Sequence, residues 1–194
     1  WVAESNQGGA YFGYSVSTAG DVNGDGYSDV IVGAPGFSSG ESFEGRAFLY
    51  LGSATGLSPS PSWTAESNKA NGEFGISVAT AGDVNSDGYS DVIVGAYTYS
   101  NGQSDEGRAY LYLGAASGLS PSPSWTAEGN QETAYFGCSV STAGDVNGDG
   151  YSDVIVGAHY YDNGETNEGA AFLYLGCPSG LSASPSWTAE GDQA

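Results

Sequence analysis

The chain repeats itself, and that constrains its fold more than any other feature. Trp1, Trp63, Trp125 and Trp187 recur every 62 residues, Asp21, Asp83 and Asp145 keep the same interval, and so do Phe12-Gly13, Phe74-Gly75 and Phe136-Gly137. At such a period each copy is one supersecondary unit, too small to bury its own apolar face and stabilised by stacking on its neighbours. The sequence therefore reads as one domain, 1–194, divided into repeats 1–62, 63–124 and 125–186, with residues 187–194 (WTAEGDQA) opening a fourth. It has no Met and starts inside a repeat, so a piece of a longer array is expected.

Four short strands are predicted in each period. Phe12–Ala19 alternates, whereas Asp29–Ala34 (DVIVGA) is a near-continuous apolar run, the pattern of a strand covered on both faces. Arg46–Leu51 is rich in aromatic and aliphatic residues, and Trp63–Glu66 follows the turn-forming Ser58-Pro59-Ser60-Pro61. No segment carries a 3.6-residue apolar period, and the 32 glycines suit many short strands joined by tight turns. An all-β fold is expected, a β-propeller of four-stranded blades with three blades in this chain. A solenoid of β-coils fits less well, because its repeats are usually shorter.

Only 3 Lys+Arg stand against 23 Asp+Glu, a formal charge of −20. Such a surface repels phosphate backbones and anionic lipid, and no apolar run is long enough to span a bilayer, so neither nucleic acid nor a membrane span is expected. Much of the acid lies in one recurring loop, DVNGDGYSD at 21–29 and 145–153 and DVNSDGYSD at 83–91. Ca²⁺ is a hard cation that takes about six to eight oxygens at roughly 2.3–2.6 Å. Asp21, Asn23 and Asp25, at positions 1, 3 and 5, can converge on one point if the chain wraps around it. Gly26 permits the sharp turn, the carbonyl of Tyr27 points inward, and Asp29 closes the site. The same reading gives Asp83, Asn85, Asp87, Tyr89 and Asp91 in the second copy, and Asp145, Asn147, Asp149, Tyr151 and Asp153 in the third: three Ca²⁺ per chain. Mg²⁺ is disfavoured by its smaller, stricter octahedron. An EF-hand is excluded because position 12 is Val32 rather than Glu and the flanks read as strands.

Phe12-Gly13, the loop at 21–29 and Gly33-Ala34-Pro35 together resemble the FG-GAP repeat of integrin α-subunit propellers and their bacterial relatives. The likeness covers all three periods; Pro35 becomes Tyr97 and His159 in the later copies. It implies that the loop joins the innermost strand of a blade to the next, with Phe12–Ala19 inner and Trp63–Glu66 outer. It further implies an extracellular or cell-surface protein, rigidified by Ca²⁺, that serves as an adhesion or protein-interaction scaffold. Lectins of this propeller type keep carbohydrate binding as an alternative. Integrin-type rings have seven blades, and closed propellers typically about four to eight. Three blades therefore imply a partial ring, or a homodimer closing a six-bladed one. Trp1–Glu4 and Trp187–Glu190 are equivalent outer strands, of which one is spare.

Cys138 and Cys177 fall at opposite ends of one blade, farther apart than the roughly 7 Å between Cα atoms that a disulfide spans, so free thiols are expected. The lone His159 has no nucleophile or ligand partner. The tryptophans suit blade packing, with sugar stacking the lesser alternative. Glu44 with Arg46, and Glu106 with Arg108, are expected to form exposed pairs of little weight; Ala170 replaces the arginine in the third copy. The copies differ most in the loops 35–45, 97–107 and 159–169 and 5–11, 67–73 and 129–135, which strand alternation places on the face opposite the acidic loops. No Ser/His/Asp or Cys/His arrangement is evident, so no enzyme is expected.

Overall fold

The computed structural model describes residues 1–191, so the last three residues of the fourth-repeat start lie outside the described residues. Among the described residues there are strands, turns and no helix. The first blade holds β1 (Ser15–Gly20), β2 (Asp29–Ala34), β3 (Arg46–Tyr50) and β4 (Trp63–Glu66), paired antiparallel in that order. The second holds β5 (Ser77–Gly82), β6 (Asp91–Ala96), β7 (Arg108–Tyr112) and β8 (Trp125–Glu128). In the third, β9 (Phe136–Gly144), β10 (Asp153–Ala158) and β11 (Ala170–Tyr174) are completed by β14 (Trp187–Glu190). A small hairpin, β12 (Gly176–Cys177) with β13 (Gly180–Leu181), sits between β11 and β14. These are three blades of a β-propeller, with β1, β5 and β9 adjacent as the innermost strands.

The predicted bounds hold for β2 and β4, but the third strand stops at Tyr50, and the inner strand starts at Ser15 rather than Phe12 in the first blade and at Ser77 in the second, although β9 does start at the copied Phe136. The reason is the Phe-Gly pair. Gly13 and Gly75 both sit at φ +86, which turns the chain, and Tyr14 N–H donates to the Tyr11 carbonyl at 3.0 Å. Across the junction Phe74 bridges Gly45 of the preceding blade, and Phe136 bridges Gly107. The motif is thus a joint between blades before it is a strand.

The core lies between blades. Ile31, Ala47 and Leu49 on one face of the first blade pack against Phe74, Val92, Val94, Tyr110 and Tyr112 of the second. Their copies Ile93, Ala109 and Leu111 meet Phe136, Val154, Val156, Phe172 and Tyr174 of the third. The second strand of the central blade, β6, is buried on both faces, whereas β2 and β10 at the ends of the segment are half-buried at Val30 and at Ile155 and Gly157; the apolar DVIVGA run suits a strand enclosed between two blades. Three of the four tryptophans clasp the following blade, while Trp187, with no described blade beyond it, is 51% exposed. Trp63 stands edge-on to Tyr112 with ring centroids 4.8 Å apart, and its indole N–H donates to the Ser120 carbonyl at 2.9 Å. Trp125 repeats this on Tyr174 (4.8 Å) and the Ser182 carbonyl (3.0 Å). Trp1 does the same on Tyr50 and the Ser58 carbonyl, at 4.9 and 2.8 Å, although residues 1–4 form no strand. The role of the tryptophans is blade packing, each edge contact adding ~1 kcal/mol to the area buried. The spare outer strand is therefore the N-terminal one, since Trp187–Glu190 pairs with β11.

Candidate metal centre

In each blade the acidic loop joins the innermost strand to the second. A bulge between Thr18 and Gly20 turns the chain into the first loop. There the Asp21 carboxylate becomes the hub. One oxygen accepts from Gly24 N–H at 2.7 Å and Asp25 N–H at 3.1 Å, and the other from Gly26 N–H at 2.8 Å. Asn23 accepts from Asp25 N–H at 3.1 Å and donates to the Asp25 carboxylate at 2.9 Å, which itself accepts from Tyr27 N–H at 3.0 Å. Positions 1, 3 and 5 are thus gathered in one coil of backbone, as their spacing predicts. Asp83, Asn85, Asp87 and Tyr89 repeat the pattern, as do Asp145, Asn147, Asp149 and Tyr151. Position 6 is a left-handed glycine in every copy, at φ +88, +91 and +92 for Gly26, Gly88 and Gly150. In the second copy Ser86 replaces Gly24 and itself takes a left-handed φ of 58.

Position 9 does more than the sequence foretells. Asp29, Asp91 and Asp153 are fully buried at the base of their loops. One Asp91 oxygen accepts from Val84 N–H at 2.8 Å and the other from Gly114 N–H at 2.9 Å. Asp29 holds Val22 and Gly52 in the same way, and Asp153 holds Val146 and Gly176. This carboxylate ties the loop to the corner after the third strand. The glycine at that corner, which recurs with the period, was the overlooked signal. Burial pushes the Asp29 and Asp91 carboxyls up, Asp91 to about 7; their two backbone donors oppose this, and the neighbouring loop aspartates add to it. Exposed Asp145 moves the other way, lowered chiefly by the Gly150 N–H.

Among the described residues no three acidic, His or Cys side chains yet stand close enough to grip an ion outright. The structure brings positions 1, 3 and 5 together and keeps position 9 beneath them. The donor chemistry fits a hard divalent cation: each loop offers carboxylate and amide oxygens with no nitrogen or sulfur ligand, above a buried carboxylate that has two backbone donors and, among the described residues, no salt-bridge partner.

The loops also stitch blades together. The Asp21 carbonyl accepts from Ser90 N–H at 2.9 Å and the Val22 carbonyl from Ala115 N–H at 3.0 Å. Asp83 and Val84 do the same for Ser152 and Cys177, each at 3.0 Å. Val22 and Val84 are buried by this docking, whereas their copy Val146, with no described blade beyond it, is 53% exposed. The first two loops are therefore hydrogen-bonded into the blade that follows them.

Elsewhere the structure corrects one expectation and bears out another. Glu44 does not pair with Arg46, nor Glu106 with Arg108. Glu44 is buried and its carboxylate caps the loop before it, accepting from Ser39 N–H at 2.6 Å and Gly40 N–H at 3.0 Å. The arginines reach across to the outer strand instead, Arg46 to Glu66 and Arg108 to Glu128, because strand register places each glutamate directly opposite. Cys138 and Cys177 are free thiols. On the face opposite the loops His159 stacks on Tyr135, with centroids 5.3 Å apart, beside Tyr97 and Tyr160.

The family model of the FG-GAP repeat matches residues 12–50, 74–112 and 136–174, in each blade the stretch from the Phe-Gly joint to the end of the third strand. The chain is 33% identical over 185 residues to integrin alpha-5 of Xenopus laevis, covering 91% of this chain and 17% of that protein. It is 39% identical over 167 residues to integrin alpha-V of Gallus gallus (79% and 15%) and 38% over 157 residues to integrin alpha-IIb of Mus musculus (77% and 15%). The chain thus spans about one-sixth of the length of these curated relatives. With the Phe-Gly joint, the wound acidic loop and three four-stranded blades in one register, the chain belongs to the FG-GAP repeat family and is an integrin-α-like β-propeller segment.

Proposed function

We propose that this chain is part of an extracellular, Ca²⁺-stabilised β-propeller that serves as an adhesion or protein-interaction scaffold, with one ion in each of its three loops. The observation that carries the reading is the buried Asp91, whose carboxyl burial pushes up, beneath the wound carboxylates of Asp83 and Asp87. Such a cluster is costly unless a cation joins it. Asp21, Asn23, Asp25, the Tyr27 carbonyl and Asp29 would hold the first ion, and the corresponding residues the other two. Once bound, the ion supplies positive charge alone; these residues position it and pass the loop's order to the next blade. Kinship with integrin α chains supports the adhesive role and the cell-surface setting.

Calorimetric titration with Ca²⁺ is expected to give three sites per chain, and Asp25→Ala two. Three sites surviving that change would contradict the assignment. Each occupied site should raise stability by about 2.7 kcal/mol at a hundredfold excess over Kd.

Two finer readings each rest on an observation. Sugar binding is favoured by clefts that recur between adjacent blades, one beside Glu66 and Tyr112 and one beside Glu128 and Tyr174; glycan-array hits within one saccharide class would select it. Association of two copies into a six-bladed ring is favoured by the open outer faces, with Val16 64% exposed against 5% for its copy Val78, and Val146 bare at the far end. A strict 19.7 kDa monomer in solution would defeat the ring.

A further inference from the structure

Two of the three acidic loops carry an asparagine followed by glycine at positions 3 and 4, Asn23-Gly24 and Asn147-Gly148, whereas the second loop has Asn85-Ser86. Such a pair is open to intramolecular attack, because with no side chain on the next residue its backbone nitrogen can approach the asparagine amide carbon. Three more pairs, Asn71-Gly72, Asn101-Gly102 and Asn163-Gly164, lie in the variable loops. By sequence all five are alike.

In the structure they differ. Gly24 N–H donates to the Asp21 carboxylate at 2.7 Å, and Gly148 N–H to that of Asp145 at the same distance. The Asn23 side-chain carbonyl accepts from Asp25 N–H at 3.1 Å, and that of Asn147 from Asp149 N–H at 3.0 Å. A carboxylate thus sits on the attacking nitrogen and a backbone donor on the oxygen that attack would charge, the pairing of base and oxyanion donor that acyl transfer uses. Gly24 and Gly148 are both exposed to water. The other pairs lack this arrangement. Gly72 N–H is taken by the Lys69 carbonyl at 3.0 Å, and the Asn101 and Asn163 side chains donate to Glu128 and Glu190. In the second acidic loop Asn85 keeps its carbonyl donor, Asp87 N–H at 3.2 Å, but among the described residues Ser86 N–H meets no carboxylate.

We propose that Asn23 and Asn147 are sites of self-catalysed deamidation in the metal-free chain, with Asp21 and Asp145 as the bases. Gly24 nitrogen bonds to the Asn23 side-chain carbon while its proton passes to Asp21. Asp21 returns that proton to the departing amide nitrogen, the old carbon–nitrogen bond breaks, and ammonia leaves. Water then opens the remaining five-membered succinimide at either carbonyl, giving aspartate or isoaspartate. Isoaspartate puts one more carbon into the backbone between positions 3 and 4, so the register of the oxygen donors is permanently lost. The inference goes beyond the scaffold reading and meets it at one point. A Ca²⁺ ion on Asp21 removes the base, so occupied loops keep their amides and empty loops accumulate the change.

The test follows the full chain in chelator at mildly alkaline pH, with peptide mass spectrometry for the amide-to-acid exchange and enzymatic methylation for isoaspartate. Asn23 and Asn147 are expected to convert faster than Asn71, Asn85, Asn101 and Asn163 by about tenfold or more, a modest share of what a positioned base contributes. Asp21→Asn, which can still accept from Gly24 N–H but is no base, should slow Asn23 by a similar factor and leave Asn147 unchanged. Equal conversion of all five Asn-Gly pairs, or an unaltered Asn23 rate in Asp21→Asn, would overturn the proposal. If that variant unfolds the loop, Ser86→Gly decides: Asn85 rising to the rate of Asn23 supports the mechanism, and Asn85 stopping at the rate of Asn101 sinks it. Ca²⁺ should protect Asn23 and Asn147 but not Asn101. Missing protection with the order of rates intact would count against the ions and leave the deamidation chemistry standing.

Discussion

Alanine at Gly95 is expected to destabilise the chain by about 3 kcal/mol or more, the upper end of the cost of forced overpacking. A Cβ there would lie 1.9 Å from the Gly137 carbonyl oxygen of the next blade and 2.3 Å from Ser77 Oγ. Neither can retreat. The Gly137 carbonyl accepts the buried Ser77 hydroxyl at 2.7 Å, and Gly137 is itself held at φ +83 in the Phe-Gly joint. Two controls isolate the cause. Gly157, the same position in the third blade, has nothing nearer than 3.6 Å, so Gly157→Ala should cost well under ~1 kcal/mol. Gly13, at φ +86 in open space, should cost only the ~1–2 kcal/mol of a left-handed residue. Urea midpoints check all three. Equal losses at Gly95 and Gly157 would mean that the second and third blades do not approach as described.

Asp91→Ala should be the most damaging change among the acidic residues, by about 2–5 kcal/mol even in chelator. It strands two backbone donors, Val84 N–H and Gly114 N–H, each costing ~1–3 kcal/mol when left unsatisfied. Asp87→Ala, on an exposed loop residue, should cost far less without metal. An equal loss for both in chelator would show that the carboxylate at position 9 has no structural role apart from an ion. The same group sets a pH dependence. Its carboxyl sits at about 7 in the folded chain against 3.8 for the free group. The folded state therefore holds this proton at a pH where the unfolded state has released it. The resulting stability is fully present below about 3.8 and lost as pH rises through about 7, a change on the order of a few kcal/mol. Metal-free protein should weaken across that window, and Asp91→Asn should flatten the trend. Ca²⁺, which needs the ionised carboxylate, should reverse it.

Much of this was legible in the chain itself. The period of 62, the DVIVGA run and the turn-forming Ser-Pro segments predict four-stranded blades, and β2 and β4 fall where those patterns put them. The loop aspartates at positions 1 and 5 converge because alternate residues of a wound coil face its centre. The arginine pairing was not legible, because Glu44 is nearer to Arg46 in sequence while Glu66 is nearer across the sheet. Nor was the part played by Gly52, Gly114 and Gly176, since a glycine in a turn looks alike whether or not a buried carboxylate reaches for its N–H.

By itself the sequence determined the repeat, the strand content and the oxygen-rich loop, all of which are local: they follow from side-chain period, turn chemistry and donor spacing along a few residues. Only the tertiary structure decided what passes between blades: which carboxylate is buried, which tryptophan clasps which tyrosine, and which glycine touches a neighbouring carbonyl. Those features depend on distances between residues about one period apart, and such distances exist only once the blades have stacked and their shared faces are closed to water.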